Sequence, residues 1–262
     1  MGITQNYESI IAQAKNVWKE MTQSHPEHFD TKLFDEFLLD LLSENSNTVI
    51  AVVSLKNQQK LYISKNVKDI WGYSIESDSI LGILQYVNMM SFNHALFPII
   101  AGKWYIKCLK SVPYEDKVNQ RIAFVGAQFK TRFGQTKRTF IQAAHLEEDA
   151  DRNPINIINS IQDISHLMKD DFWWGRYTYG NDAQKVKYYH SSIGKTVEGD
   201  IISEREKDIL RLIQQGFESA EIAQKLFLST ATVHTHRKNM LARTGMKDVT
   251  GLLQVALSIG LL

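Results

Sequence analysis

Residues 219–245 read SAEIAQKLFLSTATVHTHRKNMLARTG. Ile222, Ala223 and Leu226 recur at helical spacing, Phe227-Leu228 turns the chain, and Ser229 has the short side-chain oxygen that caps a helix start. A second helix then runs to Gly245, a residue able to close it in the left-handed conformation. Val233, Met240 and Leu241 fall on the inward side of that helix. Thr230, His234, Thr235, Arg237 and Lys238 are left together on the outer side of its first half. From Lys225 to Lys247 the chain carries Lys225, Arg237, Lys238, Arg243 and Lys247 without one Asp or Glu, although the formal charge of the whole protein is only +1. Local asymmetry of this kind is the footprint of a phosphate partner. The small Ala223 suits a close crossing of two helices. The pattern predicts a helix-turn-helix unit whose second helix enters the major groove of double-stranded DNA, with Lys225 and Arg243 as further phosphate contacts. The bland alternative for Arg237 and Lys238 is a solvated helix face. His234 and His236 are two apart, so on a helix they diverge and cannot hold one metal ion.

The flanking sequence extends the same reading. Ser203 and Glu206 form a capping box, Ile209, Leu210, Leu212 and Ile213 make a buried stripe, and Gly216 closes that helix. Ser219 is expected to cap the next helix. A last helix over about 248–259 shows Leu252, Leu253, Val255, Ala256 and Ile259. Together, ISEREKDILRLIQQG, EIAQKLFLSTATVHTHRKNMLARTG and the helix after them resemble the LuxR-type helix-turn-helix across residues 201–262. The resemblance implies a transcriptional regulator, with Glu221 structural and Thr232 and Val233 at the DNA-facing start of the recognition helix. It also implies that the last helix, through residues such as Leu253 and Leu257, forms part of a homodimer contact, the alternative being that those leucines pack on the module's own core. Two half-sites on one duplex add avidity that one small module lacks. His234 stands where the family usually has lysine, which implies a weaker or pH-sensitive contact. Thr244 replaces a common leucine, which implies looser packing at the helix end.

Ahead of this unit the pattern changes. Residues 6–21 and about 31–43 have helical periodicity. NTVIAVVSLKNQQKLYISKN reads as a β-hairpin, helical material covers about 67–110, and RIAFVGAQFK, RTFIQAAHLE and INIINSIQDISHLM are three successive strands. Two strands, a helical middle and three strands predict an antiparallel sheet with helices on one face, an α+β arrangement. NVKDIWGYSIES and IQDISHL within that order resemble the PAS fold over roughly residues 30–170. The resemblance implies a domain that senses a small-molecule signal or mediates dimerisation. The aromatic-rich residues after Met168 are expected to add a hairpin or pack on the open sheet face. The division predicted is 1–190 for the PAS-like unit with its N-terminal helices, 191–200 for a polar linker, and 201–262 for the DNA-binding unit.

Several chemistries are excluded at this level. The one cysteine, Cys108, rules out an internal disulfide and a Cys-x-x-Cys zinc site. No apolar run is long enough to cross a membrane and none resembles a leader, which predicts a cytoplasmic protein. Gly194-Lys195-Thr196 lacks the first glycine of a phosphate loop, because Tyr189 stands there. No catalytic residue is identified, so the protein is not expected to be an enzyme. The cofactor is left open: His94 is a weak candidate for a haem ligand, and Cys108 lacks the surroundings of a flavin-reactive thiol. His25 and His28 flank Pro26 in a loop and are read as solvated, with no metal site expected. Two rivals remain, a two-component response regulator without a typical receiver and a small-molecule enzyme with a helical C-terminal domain.

Overall fold

A computed structural model describes residues 46–55, 59–73, 89–181 and 185–262, together with residues 13, 16, 39, 42 and 43. Most of the helices expected at 6–21 and 31–43, the His25/His28 loop and positions 74–88 lie outside the described residues. The sequence hairpin is present as β1 (Thr48–Ser54) and β2 (Gln59–Ile63), followed by the short helix α1 (Val67–Trp71). Helix α2 (Phe97–Ser111) precedes three long strands, β3 (Arg121–Lys130), β4 (Thr136–Glu148) and β5 (Pro154–Asp163). The aromatic-rich stretch then forms the hairpin β6 (Trp174–Tyr179) and β7 (Lys185–His190). All eight strands join one antiparallel sheet in the order β2-β1-β5-β4-β3-β6-β7-β8. Strand β8 (Lys195–Glu198) lies inside the segment expected to be linker and pairs with β7, so that segment extends the sheet instead of hanging free.

Four C-terminal helices follow: α3 (Glu204–Gln214), α4 (Ser219–Leu226), α5 (Thr230–Thr244) and α6 (Val249–Ser258). The sheet is covered on both faces, and the alternation of its residues says by what. On β3, Ile122 and Phe124 face α2, while Ala123 and Val125 join one apolar core with Ile201, Ile209, Leu210, Val233, Met240 and Leu252 of the helical module. A bulge between Val125 and Ala127 shifts the register, after which Ala127 and Phe129 return to the α2 side. Gly126 supplies the bulge. Its φ of 92° suits glycine, and a Cβ there would stand 2.6 Å from the Phe172 carbonyl oxygen. The bulge bends the strand under the point where the helical module sits.

The α2 side is filled with aromatic rings. Trp173 stacks on Tyr189 at 5.1 Å between centroids, Phe97 meets Trp173 edge-on at 4.9 Å, and Trp104 lies 5.9 Å from Phe124. The Asp163-Ile164-Ser165 stretch ends β5 for a local reason. Asp163 Oδ1 accepts from the Ser165 amide at 2.9 Å and hydroxyl at 2.6 Å, and Ser165 Oγ accepts from the Arg138 amide at 2.8 Å. Burial acts to raise the Asp163 carboxyl, but the Ser165 hydrogen bonds and Lys137 outweigh it and hold it below its ordinary value.

Candidate nucleic-acid interface

The helix starts of the C-terminal module are set by short-range chemistry. Ser203 Oγ takes the Glu206 amide, and a Glu206 carboxylate oxygen takes the Ser203 amide at 2.9 Å, closing the expected capping box. Ser229 Oγ accepts from the Thr232 amide at 3.0 Å and starts α5. The cap of α4 differs from expectation: Glu218 holds that place in a box with Glu221, and Ser219 is the first helical residue. This frees the Ser219 hydroxyl to accept from Arg237 NH1 at 2.8 Å. Arg205 donates to the Leu226 carbonyl and so fastens α3 to the end of α4.

Helix α5 has two unlike ends. Along its first half Thr230, His234, Thr235 and Lys238 are exposed, Thr232 is half-buried, and Thr235 Oγ1 donates back to the Ala231 carbonyl at 3.0 Å. Neither His234 nor Lys238 forms an ion pair with a described residue. Arg237 is half-buried against Ser219, which positions its guanidinium where α4 and α5 meet. Lys225 is exposed, 4.2 Å above the Phe217 ring. Thr230, Thr232, His234 and Thr235 lie in the amide half of α5, where the helix dipole favours a phosphate, and Arg237 and Lys238 follow at its middle.

Two expected DNA contacts are corrected by burial and pairing. Val233 is fully buried between the helices, as its periodicity suggested and against the DNA-facing place that the family resemblance implied. Arg243 is directed to Glu206, across the module, and serves the core. Burial tends to raise the Glu206 carboxyl, but Arg243 and Ser203 prevail and lower it. The looseness expected at Thr244 is also absent. That residue is buried and its hydroxyl donates to the Met240 carbonyl at 2.8 Å.

Residues that sequence reasoning missed hold the far end of α5. Trp174 Nε1 donates to the Thr244 carbonyl at 3.1 Å, the Lys169 amide donates to the Gly245 carbonyl at 3.0 Å, and His190 Nε2 bonds the Arg243 carbonyl at 2.9 Å. The Lys247 amide returns to the Leu167 carbonyl at 2.8 Å. Nearby, Arg176 grips Asp200 through Nε at 3.1 Å and NH2 at 2.8 Å, and gives NH1 to the Ile259 carbonyl at 3.0 Å. Both partners of that ion pair are buried. Their signal in the sequence was only an aromatic and charged cluster, which does not name its partners.

His94 Nδ1 accepts from the Gln128 amide at 3.1 Å, so Nε2 carries the proton and donates to the Asp171 carbonyl at 3.2 Å. Both nitrogens are used, and burial holds its pKa below the ordinary value. This ring is a hydrogen-bonded strut and is not free to bind iron. Cys108 is buried and its thiol is pushed up to about 12, which keeps it protonated and unreactive. Among the described residues, no cluster of His, Cys, Asp or Glu could hold a metal ion, and no helix is long and apolar enough to cross a membrane.

Comparison with known proteins agrees with the helical module. Residues 200–256 match the family described as bacterial regulatory proteins, luxR family. The transcriptional regulatory protein MctR of Rhizobium johnstonii is 39% identical over 75 residues, covering 28% of this chain and 35% of MctR. The oxygen regulatory protein NreC of Staphylococcus aureus is 42% identical over 62 residues, covering 24% of this chain and 29% of NreC. The chain thus spans about a third of the length of the curated relatives it matches. Among solved structures, a Vibrio cholerae VqmA dimer without target DNA aligns over 86% of this chain and 87% of that one, at 12% identity and TM-score 0.29. A VqmA–ligand–DNA complex aligns over 90% and 89%, at 12% identity and TM-score 0.30. At those scores neither carries a structural argument. The luxR-family match falls on the segment that holds the four C-terminal helices.

Proposed function

We propose that this protein is a cytoplasmic, homodimeric transcriptional regulator whose residues 201–262 bind double-stranded DNA, under the control of the sheet that precedes them. The observation that carries the reading is the face of α5 that displays Thr230, His234, Thr235 and Lys238, with Thr232, Arg237 and Lys225 beside it and no acidic residue from 225 to 247. The match of residues 200–256 to the luxR family supports it. Titrating the full chain into a labelled duplex over a salt series tests it. Binding that weakens steeply, with several counterions released, is the expected result. A chain that ignores duplex DNA at low salt, or turns over a small molecule instead, removes the reading.

The sheet is proposed to be a PAS-like unit that senses a small molecule or holds the dimer together. Two strands, a helical middle and three strands in one antiparallel sheet support the first part. Control of the DNA face is supported by two dipeptides that span the sheet. Trp173 and Tyr189 belong to the aromatic cluster under α2, while their neighbours Trp174 and His190, paired across β6 and β7, hold the carbonyl end of α5. A shift of one ring pair therefore moves the other. Leu257, 46% exposed on α6, supports a dimer contact there. Sedimentation of Leu257→Glu, expected to shift the chain toward monomer, tests that contact.

A further inference from the structure

Phe227 is the most conspicuous side chain that neither the fold nor the helix-turn-helix requires. It is 95% exposed, the highest value among the exposed large apolar residues described. Its backbone is left-handed, with φ 55° and ψ 45°, a region that residues bearing a Cβ disfavour and bulky apolar ones avoid. The same chain ends α1 and α5 in this conformation with glycine, at Gly72 and Gly245. Only two other non-glycine residues described have positive φ, Asn119 and Arg152, and neither is apolar.

The turn does not need the ring. The Phe227 amide bonds the Ala223 and Gln224 carbonyls, the Leu228 amide bonds the Ala223 carbonyl at 2.8 Å, and Leu228 supplies the apolar contact to the core. A phenyl ring in a glycine-favouring place, fully in water, is therefore retained at the expense of local stability. It stands two residues before Ser229, the cap of α5, and three before Thr230, the first residue of that helix.

We propose that Phe227 is a DNA-contacting residue, whose ring packs on the apolar deoxyribose edge of the groove wall that flanks the start of α5. The proposal rests on the DNA-binding reading of residues 201–262. Sugar edges are the apolar part of a duplex backbone, and the module's cations at Lys225, Arg237 and Lys238 attract that backbone to a helix pair whose connecting turn carries Phe227. The contact is independent of base sequence, because deoxyribose is common to every nucleotide. It fixes how deeply α5 enters the groove.

The test uses the full chain, the variants Phe227→Gly, Phe227→Asn and Phe227→Leu, and a fluorescent random-sequence duplex. Glycine and asparagine adopt the left-handed conformation readily, so those two variants should melt no lower than wild type. They should nonetheless bind about fivefold more weakly, the change expected when roughly half a phenyl ring stays in water. Their salt slope should match wild type, since the ring neutralises no phosphate, and Phe227→Leu should retain most of the affinity. Folded glycine and asparagine variants that bind as tightly as wild type overturn the contact and leave the DNA-binding reading standing; in that case the ring serves a protein partner instead. A wild-type chain without duplex affinity overturns both.

Discussion

The two halves of α5 are built on opposite terms. Its first half meets the rest of the protein through the buried Val233 and through Arg237 on Ser219, and gives Thr230, His234, Thr235 and Lys238 to water. Its second half is enclosed: Met240 and Thr244 are buried, and the last carbonyls are held by Trp174, Lys169 and His190 from the sheet. A reading element needs a free polar face, and a controlled one needs a firm grip elsewhere. The two demands fall at opposite ends of one helix, which is what the proposed control of the DNA face by the sheet requires.

Substitutions should divide along that line. The largest loss is expected for Arg176→Ala, which leaves the buried Asp200 with the Ile201 amide at 2.8 Å and the Lys207 ammonium 3.7 Å away, and frees the Ile259 carbonyl. Breaking such a pair costs about 3–5 kcal/mol, read as a lower denaturation midpoint. Trp174→Phe should cost about 1–3 kcal/mol, because the Thr244 carbonyl then stays buried and unpaired. That variant should also perturb duplex affinity, although Trp174 lies on the sheet. Affinity identical to wild type in a folded Trp174→Phe chain would break the proposed grip.

Acid should act on the enclosed half as well. The Glu206 pKa is lowered in the folded protein, so its contribution is present above the ordinary carboxylate range and is lost as pH falls through the folded value. Glu206→Gln should lower stability at neutral pH and remove part of that acid sensitivity, as thermal melts across a pH series would reveal. The smallest stability effect belongs to the free half. Lys238→Ala should change stability by less than about 0.5 kcal/mol, weaken duplex binding on every sequence, and flatten the salt slope by roughly one unit. An unchanged slope would remove Lys238 from the interface.

Much of the helical module was legible because its signals are local. The Ser203–Glu206 box, the Ser229 cap and the Gly245 close each depend on residues a few positions apart, and each is present. The strands β3, β4 and β5 were legible for the same reason, since β-branched and aromatic runs bounded by turn residues need no distant partner to be recognised. Errors arose where a residue had two plausible neighbours. Val233 could face core or groove by analogy and is in the core; Arg243 could reach phosphate or Glu206 and reaches Glu206. Residues 195–198, polar and flanked by glycines, read as linker until pairing with β7 made them a strand.

By itself, the sequence determined the four C-terminal helices, the caps at Ser203, Ser229 and Gly245, the cationic first half of α5 and the antiparallel sheet ahead of them. Periodicity and capping act over one or two turns of chain and survive without tertiary context. The tertiary structure alone decided that sheet and helices share one core, that His190 and Trp174 hold the end of α5, and that Phe227 stands bare beside its start. Those facts join residues far apart in the chain, or depend on what remains uncovered after everything else has packed. Only the folded arrangement fixes either.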